Sequence, residues 1–317
     1  MLPGSNPQLA GESLVISAHY DHLGLGWPDV HQGDEGKAHL GADDNASGVA
    51  VMLELARQVS KKWSPARSIV FVAFTAEEAG LRGSQHYANA MSELPARKAI
   101  AVLNLDTVGR VGAGPVTIFG TQSARELVHV IRGAGFVTGI QTQSIKSEQG
   151  FSDQKSFYDI GVPGVQFFGS VHSDFHRPTD TIELIDSAGM VKVAAILKET
   201  AEYLANAPEG LSVTLPKSIP QKRTERARQG RRVSIGTIPD FAFGGKGVRI
   251  SGTTPDSPAA KAELKDGDIL IAINDSAIED LAAYAKVLRT LKAGDSIKLQ
   301  YLRNDKQHEV QVTAIAR

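Results

Sequence analysis

The chain has 317 residues, with 34 Lys+Arg against 35 Asp+Glu, a formal net charge of −1, and 42% hydrophobic residues. That length fits about two domains and that composition an ordinary globular core, while the near-zero charge excludes bulk nucleic-acid binding. There is no cysteine, so disulfides, thiolate metal sites and cysteine nucleophiles are excluded and any metal must be held by His and carboxylates.

No apolar run approaches the ~18 residues a membrane span needs, and Met1 is followed by Pro3, Gly4, Ser5 and Asn6 rather than a basic segment with an apolar core. From Ser13 to Tyr203, strand-length apolar runs alternate with helical patterns. Leu14 to Ala18, Ile69 to Phe74, Ala99 to Leu105, Val116 to Phe119 and Val165 to Phe168 are nearly continuous hydrophobic stretches, as buried parallel strands are. Val49, Met52, Leu53, Ala56 and Val59 share one helical face, in a helix starting near Asn45. Further helices are expected over Ser123 to Arg132 and Ser187 to Leu204. The alternation predicts an α/β fold, a mostly parallel central sheet sandwiched by helices.

The pattern stops at Ala207-Pro208-Glu209-Gly210, and Lys217 to Arg232 holds seven basic residues against Glu225. This reads as a solvated basic linker over 207–232. From Val233 short strands, Gly-rich turns and helices near Ser257 to Ala262 and Asp280 to Leu291 precede strands at Ser296 to Arg303 and Glu309 to Ile315. That layout predicts a small, partly open β-barrel with two helices over 233–317.

In the first domain, carboxylates and imidazoles recur just after strands: His19-Tyr20-Asp21-His22, Glu77-Glu78 and Asp106. In an open parallel sheet the crevice beyond the strands' carboxyl ends binds ligands, so these groups converge if their strands are neighbours. Crowded carboxylates repel unless a cation neutralises them. Hard carboxylates with neutral imidazoles suit Zn²⁺ or a similar ion, and several carboxylates suit a pair. Alternation by two lets Asp21 sit behind His19, and the adjacent Glu77 and Glu78 diverge, one to metal and one to a bound water. Alone, Asp43 or Asp44 reads as an N-cap for the helix after Asn45. His31, His39, His86, His129 and His308 read as surface or packing residues, and His22 and His172 as groups behind the ligands.

The blocks Ala18-His19-Tyr20-Asp21-His22-Leu23-Gly24, Gly41-Ala42-Asp43-Asp44-Asn45-Ala46-Ser47-Gly48, Thr75 to Ser84, Asn104-Leu105-Asp106 and His176-Arg177-Pro178-Thr179-Asp180-Thr181 resemble the five motifs of dinuclear-zinc aminopeptidases of the bacterial leucyl aminopeptidase and aminopeptidase Y type. The resemblance covers Ser13 to about Leu204 and makes 1–206 a zinc exopeptidase-like catalytic domain. It implies that His19 and Asp106 hold one zinc, that Glu78 and His176 hold the other, and that Asp43 bridges them. It also implies that Asp21 orients His19, that Glu77 is the general base on a water between the two ions, and that a cis peptide joins Asp43 to Asp44. The expected substrates are peptides with a free N-terminus. Two other readings are a single-zinc glutaminyl cyclase-like acyltransferase, against which His19 and Asp106 count, and a catalytically silent adaptor, which predicts missing ligands.

Ser152-Asp153-Gln154 stands where family members commonly have Ser-Asp-His, preceded by Phe151 rather than tyrosine. Tyr158 is the nearby candidate for an oxyanion donor. About a dozen residues precede the first motif strand, where relatives usually carry a helix and a hairpin, so a truncated N-terminus is expected.

Gly245 to Ile250, then Asp256 to Leu270 with Ser-Pro-Ala-Ala and Asp-Gly-Asp-Ile-Leu, and Ile273-Asn274-Asp275 resemble a PDZ domain. The resemblance implies capture of a peptide C-terminus by strand addition, with the loop Gly245, Lys246, Gly247 and Val248 holding its carboxylate. Glu263 stands where glycine is common, which costs up to ~1–2 kcal/mol if that residue is left-handed. Peptidases joined to PDZ domains resemble bacterial envelope or secreted proteins, so a periplasmic or secreted location is the expectation.

Overall fold

The computed structural model describes residues 1–28, 30–31, 33–91, 98–145, 152–215, 233–241 and 243–316. Most of the expected basic linker and residue Phe151 lie outside the described residues. The chain divides into two compact units. The first holds 1–24, 38–170 and 178–221, and the second holds 25–37, 171–177 and 222–317.

In the first unit, β1 (Glu12–His19), β2 (Ser68–Phe74), β3 (Lys98–Leu105), β4 (Val116–Phe119), β5 (Thr142–Ile145) and β6 (Gly164–Phe168) form one sheet in the order β2-β1-β3-β6-β4-β5. The β4–β6 pairing is antiparallel and the other four are parallel. The helices are α1 (Gly48–Lys62), α2 (Arg82–Ala90), α3 (Leu127–Thr138), α4 (Gln154–Tyr158) and α5 (Ser187–Asn206).

The strand period of two sorts side chains onto two faces. Leu14, Ile16, Ala18, Ala101, Leu103 and Leu105 join α1, α3 and α5 in one core cluster, whereas Val15, Val102 and Phe74 join Met91 and Phe157 in another. Both sheet faces are therefore covered, which explains why the strands read as continuous apolar runs. Gly164 is required in β6, because an added Cβ would come within 2.2 Å of Val102 Cγ1. Beneath the second face a buried polar chain crosses the sheet. Ser17 Oγ donates to Asn104 Oδ1 (2.7 Å), Asn104 Nδ2 to Gln154 Oε1 (3.1 Å), and Gln154 Nε2 to Gln166 Oε1 (2.8 Å). Gln154, at the departure from the family's histidine, thus belongs to the packing of this face.

The expected helix from Asn45 begins three residues later. Asp44 and Asn45 have non-helical backbones, and Asn45 Oδ1 accepts from Gly48 N (3.1 Å). The helix expected over Ser123 to Arg132 is shifted to α3, after a 3₁₀ turn at Thr121–Ser123. Three elements have no counterpart among the expected ones. In α2 the buried residues are Ser84 and Ala88, β5 is a half-exposed edge strand of sequence TQSI, and α4 has five residues.

One buried ion pair anchors the start of β1. Arg67, 1% exposed, donates from Nε to Glu12 Oε2 (2.7 Å), and Lys98 Nζ lies 2.6 Å from Glu12 Oε1. Burial pushes the Glu12 carboxyl up, but the hydrogen bonds and charges of Lys98 and Arg67 outweigh it and hold the pKa below the ordinary range. A depressed acid contributes stability above its unfolded pKa and loses it as pH falls through the folded value. Glu12→Gln is therefore expected to cost about 2 kcal/mol at pH 7, and the gap to wild type should shrink as pH falls below 5. Urea unfolding of both proteins from pH 3 to 7 checks this; a gap constant with pH would refute the ionic account.

The second unit carries β7 (Val233–Ser234), β8 (Thr237–Pro239), β9 (Val248–Thr253), β10 (Ile269–Ile273), β11 (Ser276–Ala277), β12 (Ser296–Arg303), β13 (Lys306–Thr313) and β14 (Ile315–Ala316). The main sheet runs β13-β12-β10-β9-β8, β11 pairs with β10, and β7 pairs with β14. Helices α6 (Pro258–Lys261) and α7 (Leu281–Thr290) start at Ser257 and Asp280, whose side chains accept from Ala260 N and Ala283 N, as N-caps do. Glu263 is left-handed (φ 56°), so the strain of about 1–2 kcal/mol is present; its carbonyl accepts from Arg303, which also grips Asp268 with two hydrogen bonds.

The expected peptide loop at Gly245 to Val248 is corrected here. β9 is paired on both edges, with β10 at Val248 and Arg249 and with β8 from Ile250 to Thr253, so no further strand can add beside it. Gly247 N donates to Glu279 O (2.9 Å) and is not available to a carboxylate. Among the described residues the sheet ends at β8, which is tied to α7 by the Thr237 and Tyr284 hydroxyls (2.6 Å).

Candidate metal centre

Three neighbouring strands bring the chemistry together. His19 is the last residue of β1, Glu77 and Glu78 follow β2, Asp106 follows β3, and β2-β1-β3 are adjacent in the sheet. Two groups of ligand-type atoms form there: His19, Asp44 and Asp106, all buried, and His22, Asp44 and Glu78.

Asp44 belongs to both groups and presents one oxygen to each. Its Oδ1 lies 3.3 Å from His19 Nε2 and its Oδ2 3.9 Å from His22 Nδ1. Asp106 Oδ1 is 3.4 Å from His19 Nε2, and Glu78 Oε1 is 3.1 Å from His22 Nδ1. Such a set of oxygens and imidazole nitrogens, without sulfur, fits divalent ions of the zinc type.

Asp43, the expected bridge, is in neither group. Its carboxylate turns to the segment after β3, where Oδ1 accepts from Gly109 N and from Ser47 Oγ (3.1 Å). Asn45 reaches the same segment, donating to Leu105 O (2.9 Å) and accepting from Thr107 N (3.3 Å). The cis peptide likewise joins Asp44 to Asn45, one residue beyond the expected place. Successive side chains on an irregular segment point apart, so only one of two adjacent aspartates can face the ligand cluster.

Asp21 lies against His19, as expected, and holds a second partner as well. His19 Nδ1 meets the backbone oxygen of Asp21 at 3.0 Å, with the Asp21 carboxylate at 3.7 Å. The carboxylate also accepts from the amides of Glu77 (3.1 Å) and Glu78 (3.3 Å). It thereby fixes both glutamates as well as the strand end carrying His19. Ala76 and Thr107, which follow β2 and β3 closely, have φ of 55° and 56°; left-handed backbone at non-glycine residues concentrates strain beside the ligands.

Burial opposes charge on His19, yet Asp106, Asp21 and Asp44 around it outweigh burial and hold its pKa well above the imidazole range. Glu77 is pushed well up, by burial first and then by the Asp106, Glu78 and Asp153 carboxylates, against the pull of His19. Asp153, fully buried ahead of α4, is raised to about 7, chiefly by burial. Sequence reasoning placed Asp153 only in a departing motif, because burial of that segment is a tertiary fact. Tyr158 is not an oxyanion donor, since its hydroxyl donates to Gly164 O (2.8 Å) inside the core.

His176 falls in the other compact unit and in neither group. It has φ 58° and its ring stacks on Phe175, with centroids 4.0 Å apart. His22, read from sequence as lying behind the ligands, is the imidazole found in the second group.

Residues 1–201 match Peptidase family M28 and residues 221–314 match a PDZ domain. Aminopeptidase YwaD of Bacillus subtilis (strain 168) is 32% identical over 221 residues, covering 67% of this chain and 45% of that protein. The aminopeptidase from Aneurinibacillus sp. strain AM-1 superimposes with a TM-score of 0.54 at 30% identity, covering 67% of this chain and 48% of the other. BSAP, a zinc aminopeptidase from Bacillus subtilis, gives 0.54 at 26% identity, over 66% of this chain and 50% of the other. The chain thus spans about half the length of these relatives. With the strand-end ligand groups in place and the family match covering most of the first unit, this chain belongs to Peptidase family M28.

Proposed function

We infer that the chain is a metal-dependent aminopeptidase that uses two zinc ions. The observation that carries this is Asp44, whose two oxygens face two separate ligand groups at the ends of three adjacent strands. His19, Asp44 and Asp106 would hold one ion. Asp44 and Glu78 would hold the other, with the imidazole of His176 that the family motif implies and His22 beside Glu78. Bound zinc supplies Lewis-acid polarisation of the peptide carbonyl and makes water more acidic. Glu77 takes the proton of the attacking water on its carboxylate and returns it to the leaving amine, a role served by a carboxyl whose pKa stands above the ordinary range. Asp21 keeps Glu77 in place through the amide it binds. A peptide C-terminus is the proposed PDZ partner, adding as a strand to the open edge of β8.

The test is a panel of free-amine and N-acetylated aminoacyl anilides and N-terminal glutaminyl peptides, before and after chelation and zinc return. Cleavage confined to free amines, abolished by chelator and restored by zinc, is the expected result. Cyclisation of glutamine without hydrolysis would replace this reading with the acyltransferase one.

A further inference from the structure

Resting on that reading of the site, we propose that Asp180 is a positioning residue that sets the orientation of Asp44 and hence the affinity of the centre for its metal ions. Asp180 is 0% exposed and collects three successive amides of the segment that carries Asp44. Its backbone oxygen accepts from Ala42 N (3.3 Å). Its carboxylate accepts from Asp43 N (3.1 and 2.9 Å) and from Asp44 N (3.1 Å). Arg110 Nη2 lies 3.8 Å from Asp180 Oδ1.

Successive N–H groups pointing into one concavity form a binding place for an anion, and here the anion is supplied from a segment 136 and 137 residues away in the chain. The consequence concerns Asp44 directly. A residue with φ −109° and ψ 89°, followed by the equally non-helical Asn45, has no regular hydrogen-bond ladder to define its direction. Asp180 holds its amide from one side, while Asn45 and Asp43 hold the flanking residues to the segment after β3. With the backbone held on both sides, the Asp44 carboxylate can divide its oxygens between the two ligand groups. Asp180 is a member of neither group, and it follows the motif histidine His176 by four positions, so one short stretch carries both that histidine and the clamp on Asp44.

The experiment is a zinc titration of metal-free full-length protein against a competing chromophoric chelator, with Co²⁺ absorption spectra, for wild type, Asp180→Asn and Asp180→Ala. Thermal unfolding of each metal-free protein is followed alongside. Groups behind metal ligands typically contribute 10–100-fold in metal affinity. Asp180→Ala is expected to bind zinc ~10–100-fold more weakly and to show an altered cobalt spectrum. Asp180→Asn keeps one acceptor oxygen for two amides and should fall between. If the wild type binds two ions and Asp180→Asn matches it in affinity and spectrum while Asp180→Ala only melts earlier, Asp180 serves packing alone and the proposal falls. If the wild type itself takes up no zinc or cobalt, the reading of the metal centre falls first and the proposal with it.

Discussion

Glu77→Gln is expected to keep the metal content of the wild type and to lower kcat by roughly 10²–10⁴-fold. Glutamine has the same shape and leaves the Glu77 amide on Asp21 undisturbed, so the fold around the site has no cause to change. What disappears is the carboxylate proposed to take the proton and return it. Glu77 is suited to that exchange because burial and three neighbouring carboxylates lift its pKa, whereas its neighbour Glu78 faces His22 and belongs to a ligand group. Steady-state kinetics on a free-amine anilide, with metal measured on the same preparation, decides the matter. A variant with full metal and near wild-type turnover would remove Glu77 from the base role.

Asp44→Asn should do more, because it reduces both ligand groups at once. Replacing the shared carboxylate with an amide removes a negative charge and one good oxygen donor. The remaining ligands, His19 with Asp106 and Glu78 with His22, face each other across a site missing its common member. Metal content after dialysis is expected to fall from two ions to below one per chain, and activity with it. Asp43→Asn supplies the control: Asp43 holds Gly109 and Ser47 rather than a ligand group. It should retain both ions and lose only about 1 kcal/mol of stability. Were Asp43→Asn to empty the site and Asp44→Asn to leave it filled, the bridge would belong to Asp43 after all. Atomic emission on purified proteins gives the answer directly.

The clustering of His19, Glu77, Glu78 and Asp106 is legible in the amino-acid sequence, because their strands are apolar runs whose carboxyl ends share one side of a parallel sheet. The face-sorting of Leu14 and Val15 into separate cores follows from the same alternation. The short, weakly apolar elements are not legible in this way. In α2 the buried positions are Ser84 and Ala88, which leave no hydrophobic stripe, and β5 is an edge strand with one solvated side. The PDZ edge escaped for another reason: that β9 is paired on both sides and β8 ends the sheet depends on β8 and β10 arriving from elsewhere in the chain.

Local sequence therefore determined the α/β plan, the second small β domain and the residue types able to hold metal, since hydrophobic periodicity and side-chain chemistry are written residue by residue. Tertiary structure alone put Asp44 rather than Asp43 in the ligand-type groups, turned the Asp21 carboxylate to the Glu77 and Glu78 amides, and brought Asp180 to the segment holding Asp44. Those choices turn on where a buried amide finds its hydrogen-bond partner, and for Asp43 that partner lies 137 residues away.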